Sequence, residues 1–318
     1  MRAALARQPC QPTLPLDWGQ GHHPAMTVVT PASATARPLA ADRHGHVVDQ
    51  LIAERAPRLT GSAVWPLVRP ALYGLLDYAK ARRMAEAIAL LSGRAALEHV
   101  AQLLRLKVEA SGLGALPPLG RVIVVCNHPT GIADGMAVYE ALKGPRPDLA
   151  FYANSDALRV SPGLADVLIP VEWVAARRTR ERNRATLQAT VDVLEAERCL
   201  VVFPSGRLSR RQPDGRLADP PWASSPVSLA RRYEAPILPI HVAGPWSRLF
   251  HLFNRVSPEL RDITLFHEFL NKEGGRFVLT AGPLIPPGDL VGDAGALTET
   301  LKAHVEQALP LDARARFR

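Results

Sequence analysis

Apolar residues along this chain follow two periods, and the alternation between them sets the architecture. Val122-Ile123-Val124-Val125 is an unbroken β-branched run, which reads as a short strand buried on both faces. It ends at Cys126 and Asn127; His128, Pro129, Thr130 and Gly131 follow, and Asp134 opens a second apolar segment, Met136 to Leu142. Further short runs at 149–152, 167–171, 200–203 and 237–242 predict strands, and 276–281 is extended. Leu106, Val108 and Ala110 alternate with Lys107 and Glu109, the period of a half-buried strand.

The intervening segments carry the helical period. Val48, Leu51 and Ile52 share one face. A longer helix is expected from Pro70, a good first-turn residue, carrying Leu72, Leu75, Leu76, Ala79, Met84, Ile88 and Leu91 up to an interruption at Gly93. Leu97, Val100, Ala101 and Leu104 then recur at helical spacing. Helices are also expected over 180–197, with Leu187, Val191 and Leu194 on one face, and over 228–233, 259–270 and 298–309. Strand alternating with helix predicts an α/β fold: a mixed, largely parallel sheet flanked by helices, preceded by an N-terminal helical segment. The expected division is a disordered tail over 1–43, rich in Pro, Ala and Thr, a helical segment over 44–105, and an α/β domain over 106–318. Met26 is an alternative start, and His22, His23, His44 and His46 read as solvated rather than as metal ligands.

Composition narrows the partners. With 38 Lys and Arg against 30 Asp and Glu, the net charge of +8 favours anionic partners. An aromatic content of 6% and the lack of zinc-finger or RNA-binding motifs argue against nucleic acid. Cys126 and Cys199 lie in apolar runs and, like Cys10, have no neighbouring cysteine at ligand spacing, which implies a reducing compartment and no metal. No apolar run approaches the ~20 residues of a membrane span, and no compact secretory signal stands at the N-terminus. The helical segment has two readings: cover for the sheet, or membrane docking through Trp65, Leu67, Val68, Leu72 and Tyr73 beside Arg69, Lys80, Arg82 and Arg83.

Four clusters carry candidate chemistry, each expected at the carboxyl edge of the sheet, where α/β proteins bind ligands. His128 and Asp134 form the first, with Asp134 read either as the partner of the imidazole or as a helix cap. Glu172 and Arg177, Arg178, Arg180, Arg182 and Arg184 form the second; cations at a helix start oppose its dipole, and a bound phosphate would reverse that penalty. The third is Phe203-Pro204-Ser205-Gly206-Arg207 with Ser209, Arg210 and Arg211, where a glycine lets backbone approach a ligand and arginine forks suit phosphate. Ser205 lacks the first glycine of G-x-S-x-G, so a hydrolase elbow fits poorly. Pro236-Ile237-Leu238-Pro239 is the fourth.

The order of these clusters over about 106–282 resembles the glycerophosphate/lysophospholipid acyltransferase family. Asn127-His128-Pro129 through Asp134-Gly135 is similar to its His–Asp catalytic motif, Ile169 to Glu172 and the arginines to its second block, Phe203 to Gly206 to its Phe-Pro-Glu-Gly acceptor block, and Pro236 to Pro239 to its fourth. Departures exist: five residues separate His128 from Asp134 where four are common, Ser205 replaces the glutamate, Arg207-Leu208 replaces Thr-Arg, and Glu172-Trp173 stands where an acidic residue and arginine are common. A branch of the family carries the same His-Pro-x-Gly-x-x-Asp-Gly loop. The resemblance implies a glycerolipid acyltransferase-like fold and acyl transfer in phospholipid biosynthesis from acyl-CoA or acyl-carrier protein, as co-substrate, to a lysophospholipid or glycerol phosphate. His128 and Asp134 would be catalytic. Arg178, Arg180, Arg184, Ser205, Gly206, Arg207 and Arg210 would bind the acceptor phosphate, with Pro236, Ile237 and Pro239 near the acyl site. It further implies no cofactor, no metal, no nucleic acid, and a cytoplasmic protein peripheral on an anionic membrane face. The alternatives are a non-catalytic lipid- or phosphate-binding protein of the same fold and an acyl-thioester hydrolase.

Overall fold

The computed structural model describes residues 45–172, 178–212 and 215–318, without the side chains of Arg248 and His251. The expected tail, its histidines to His44 and Arg177 lie outside the described residues. The N-terminal elements are α1 (Val47–Arg55), α2 (Pro57–Thr60), α3 (Trp65–Leu75), α4 (Tyr78–Ile88) and α5 (Gly93–Leu104). There follow β1 (Lys107–Ser111), β2 (Val122–Cys126), α6 (Ile132–Leu142), β3 (Leu149–Asn154), α7 (Asp156–Val160), β4 (Leu168–Val171), α8 (Arg180–Glu195) and β5 (Cys199–Val202). A ribbon of β6 (Arg210–Arg211) and β7 (Leu217–Ala218) leads to α9 (Ser225–Arg232) and β8 (Ile237–Ala243). The chain continues through α10 (Arg248–Val256), α11 (Pro258–Asp262), α12 (Leu265–Leu270), β9 (Arg276–Ala281) and α13 (Ala294–Ala303).

Seven strands form one sheet in the order β1-β9-β8-β2-β5-β3-β4. Its pairings are parallel except β8 with β9, so the sheet is mixed and largely parallel as expected. The central β2 is buried along its whole length. Val122, Val124 and Cys126 pack into a core with α1, α4, α5 and α6, while Ile123 and Val125 face a second core with α8, α9 and α13. Burial on both faces is why the run shows no polar alternation.

Three helical expectations change. Pro66 takes the first-turn place, so Pro70 lies inside α3 and the chain breaks instead at Asp77, whose φ of 54° is left-handed. Gly93 starts α5 rather than interrupting a helix; a Cβ there would lie 2.8 Å from the Gly163 carbonyl oxygen. The stretch 259–270 divides into α11 and α12, and α10, unmarked in the sequence reading, precedes them. In the N-terminal segment Trp65, Leu72 and Tyr73 pack onto the core, whereas Leu67 is 81% exposed, with Val64 and Leu75 also on the surface. No helix among the described residues is long and apolar enough to cross a membrane.

Candidate active site

β2 delivers His128 to the carboxyl edge of the sheet, and the residues around it hold it by both backbone and ring. Asn127, buried, continues the ladder with its side chain: its Nδ2 donates to the Val242 carbonyl at 3.0 Å and its Oδ1 accepts from the Val242 N–H at 2.7 Å. The next residue is thereby fixed at the end of two paired strands. The His128 N–H donates to both oxygens of buried Asp219 at 3.1 Å, and its carbonyl accepts from the Ser209 N–H at 2.9 Å. Phe203 lies against the imidazole with ring centroids 4.6 Å apart.

Asp134 sits in the first turn of α6, fully buried. Its Oδ2 accepts from His128 Nδ1 at 2.9 Å, from the Thr130 N–H at 2.8 Å and from the Gly131 N–H at 3.0 Å; its Oδ1 accepts from Thr130 Oγ1 at 2.6 Å. The two readings of this carboxylate are therefore one arrangement, since it caps the helix and holds the imidazole at once. Gly131 makes the geometry available: its φ of +102° suits glycine, and a Cβ would meet Leu208 at 3.3 Å. With Nδ1–H turned to the carboxylate, the unprotonated nitrogen is Nε2, which has no hydrogen-bond partner among the described residues. The side chain is 17% exposed. Such a ring can take a proton from a group that approaches it.

The Phe203–Arg211 loop covers this centre. Gly206 is left-handed at φ 58°, and Ser205 Oγ donates to the Arg207 carbonyl at 2.8 Å, so its hydroxyl closes the turn. Arg210 lies over the Phe250 ring, guanidinium carbon 5.4 Å from the centroid, and its Nη1 is buried without a partner. Burial pulls the Arg210 guanidinium below its ordinary range, and the charges of Arg261 and Arg207 pull it further.

The second arginine group stands elsewhere. Arg178, Arg180 and Arg184 are exposed around the start of α8, which follows β4, three positions from β2 in the sheet and so roughly 14 Å away at the usual strand spacing. Glu172 organises part of the group: its carboxylate accepts from Arg182 Nη1 at 2.8 Å and its carbonyl from Arg178 Nε at 3.1 Å. The two arginine groups thus follow different strands, Arg207 and Arg210 coming after β5 beside β2, and Arg178, Arg180 and Arg184 after β4, with β3 between.

The expected position of Pro236, Ile237 and Pro239 at this edge is corrected. Pro236 precedes β8 and Ile237 and Pro239 lie within it rather than after a strand; parallel register sets Ile237 beside Ile123, near the start of β2, and Pro239 beside Val125, next to its last residue. Ile237 and Pro239 are buried inside the sheet layer.

Several participants escaped the sequence reading. Asp219 accepts, besides the His128 N–H, Ser209 Oγ at 2.5 Å and Trp222 Nε1 at 2.9 Å, and its own N–H donates to Glu306 at 2.6 Å. Burial, reinforced by the Asp219 charge, raises the Glu306 carboxyl. A tryptophan set among prolines in Asp219-Pro220-Pro221-Trp222 was the one visible signal. Lys272 and Glu268 form a buried pair at 3.5 Å; burial lowers the ammonium, and Glu268 and Asp134 oppose that shift. Among the described residues no group of three or more His, Cys, Asp or Glu is placed to hold a metal ion.

Residues 107–243 match the family model described as acyltransferase. Among curated proteins, a lyso-glycine lipid O-acyltransferase from Phocaeicola vulgatus is 29% identical over 196 residues, covering 60% of this chain and 68% of that protein. A protein of the same name from Bacteroides thetaiotaomicron is 26% identical over 196 residues, covering 60% of this chain and 70% of its own. Among solved structures, the 1-acyl-sn-glycerophosphate acyltransferase PlsC of Thermotoga maritima aligns with a TM-score of 0.43 at 16% identity, over 70% of this chain and 82% of that one.

Proposed function

We propose, from the match of residues 107–243 to the acyltransferase family model, that this chain moves a fatty acyl group from an acyl-CoA or acyl-carrier-protein thioester to a hydroxyl of a lysolipid. The observation that carries the mechanism is the 2.9 Å contact between His128 Nδ1 and the buried Asp134 carboxylate, which leaves Nε2 as the base. Nε2 takes the proton of the acceptor hydroxyl as that oxygen bonds to the thioester carbonyl carbon. The imidazolium so formed faces Asp134. When the tetrahedral intermediate collapses, the carbon–sulfur bond breaks and Nε2 returns the proton to the leaving thiolate. A base positioned in this way contributes typically ~10²–10⁴-fold. The start of α6 supplies free N–H groups and a positive dipole end for the developing oxyanion.

The acceptor is a lysolipid with a small anionic headgroup. Two relatives are named for a lyso-glycine lipid, and lysophospholipids and glycerol phosphate share the required hydroxyl and negative charge. Arg207, Arg210, Ser205 and Gly206 lie on the loop bonded to the His128 carbonyl through Ser209 and are the acceptor-binding residues of this reading. Arg178, Arg180 and Arg184 face solvent on the same edge and meet the anionic surface from which the lipid comes. Leu67, Val64 and Leu75, with Arg69 exposed between them, form the apolar and basic patch that docks there, so the enzyme works as a peripheral protein in phospholipid or related membrane-lipid synthesis.

Incubation with a labelled acyl thioester, on CoA and on carrier protein, and a panel of lysolipids tests this reading. Acylated lipid is the expected product. Free fatty acid with no acyl transfer would indicate a thioester hydrolase, and lipid binding with no product a non-catalytic protein.

A further inference from the structure

Arginines from two distant parts of the chain meet at α10, Arg210 with its loop neighbour Arg207 and Arg261 of α11, and their charge is not balanced. Arg210 rests on Phe250, while Arg261 of α11 donates from Nη1 to Asn254 Oδ1 at 3.0 Å. Phe250 and Asn254 are four residues apart in α10, so the two guanidinium groups lie over adjacent turns of one helix face. Arg207 follows Gly206 in the loop that brings Arg210 here, and its charge, like that of Arg261, bears on Arg210. The one carboxylate in the group, Asp262, is held by Arg261 Nε at 2.6 Å. No carboxylate pairs with Arg207 or Arg210 among the described residues. Arg210 Nη1 is shut off from water with no acceptor among the described residues. A buried donor of this kind calls for a missing acceptor. Assembling three like charges is unfavourable until an anion joins them.

We infer that Arg261 joins Arg207 and Arg210 in a site for the anionic headgroup of the acceptor, and that the site takes a carboxylate or a phosphate alike. Forked guanidinium donors match the paired oxygens of both groups, and the donors available are side-chain forks rather than a backbone cradle shaped for phosphate. The place suits the purpose. Arg210 directly follows Ser209, whose N–H is bonded to the His128 carbonyl, so a headgroup held here keeps the rest of the acceptor beside the imidazole. This inference deepens the proposed acyl transfer and rests on it for the identity of the ligand, though not for the existence of the site.

Two measurements on the full chain test it. In the first, acyl transfer is measured with lysolipids of one chain length bearing a carboxylate, a phosphate or a neutral headgroup. R261M and R207Q are expected to raise KM for both anionic acceptors at least about tenfold, with kcat little changed and the neutral acceptor unaffected. Whichever anion suffers more identifies the headgroup preferred. In the second, the inactive H128A protein is titrated with inorganic phosphate and with acetate, followed by thermal shift. Saturable stabilisation that R261M and R207Q both lose is expected. Arg207 is exposed, so R207Q keeps the test sound if R261M folds poorly. Unchanged KM for anionic acceptors, an equal rise for the neutral one, or anion stabilisation that survives both substitutions would overturn the site. Loss of all acyl transfer in the wild type, with anion binding intact, would overturn the reaction and leave the site standing.

Discussion

Replacing Asp134 by asparagine separates two services that this carboxylate performs, orientation and charge. The side chain is isosteric, and its partners sort it into one orientation. Three N–H donors, from His128 Nδ1, Thr130 and Gly131, converge on Oδ2, so the amide oxygen must take that place. The amide nitrogen then faces Thr130 Oγ1, a hydroxyl that can turn from donor to acceptor. Cap, tautomer and fold are all expected to survive. What disappears is the negative charge next to the imidazolium formed during proton transfer. Two unit charges about 4 Å apart interact by about 4 kcal/mol at an effective dielectric of 20, and each 1.36 kcal/mol is about a decade in rate. The amide dipole keeps part of this, so D134N is expected to lower kcat by about 10²–10³-fold with an unchanged KM for the acyl donor. The assay is steady-state acyl transfer, accompanied by thermal unfolding to show that the variant folds. A folded D134N enzyme within a few-fold of wild-type turnover would refute the role given to the charge.

Three further expectations follow from the same geometry. D219N puts an amide N–H among the three donors now held by the carboxylate and leaves a buried mismatch of about 1–3 kcal/mol; Tm should fall and kcat should fall by more than the folded fraction explains, with KM for the donor unchanged, whereas equal Tm and activity would remove Asp219 from the positioning of His128. G131A forces a non-glycine residue to φ +102° and should cost about 1–3 kcal/mol in urea unfolding; because the strain is in the backbone, trimming Leu208 to alanine should not restore stability, and full rescue would show that only contact was at issue. L67E alters a residue that is 81% exposed and should leave stability within about 0.5 kcal/mol while lowering cosedimentation with anionic vesicles several-fold; undiminished vesicle binding would rule out this docking surface.

The parts legible in the sequence are those set by local pattern. A run buried on both faces could only be a central strand, and the histidine and carboxylate stood where such a strand must yield to a helix. What the pattern left ambiguous was Asp134 as cap or partner, an ambiguity that the molecule does not have: at the first turn of α6 one carboxylate reaches both the backbone donors and the ring. The misplaced Pro236–Pro239 block shows the limit differently. Apolar residues mark a strand but not which end faces the ligand edge; the register Ile123 to Ile237 decides that, and it depends on pairing across 114 positions. Asp219, Asn127 and Arg261 were invisible for a related reason. Asp219 meets His128 across 91 positions and Asn127 meets Val242 across 115, contacts that carry no local period. Arg261 fell unremarked within the helix expected over 259–270, whereas the break between α11 and α12 and its bond to Asn254 set it against α10.

The central claim is that one imidazole nitrogen removes the acceptor's proton. It is tested most directly by the rate at which H128A forms acylated lysolipid from a labelled acyl thioester, measured beside the wild type under saturating acceptor. The account expects the variant to fold, to keep its affinity for the lysolipid, and to lose at least about 10²-fold in turnover. Wild-type turnover by a folded H128A protein would contradict it.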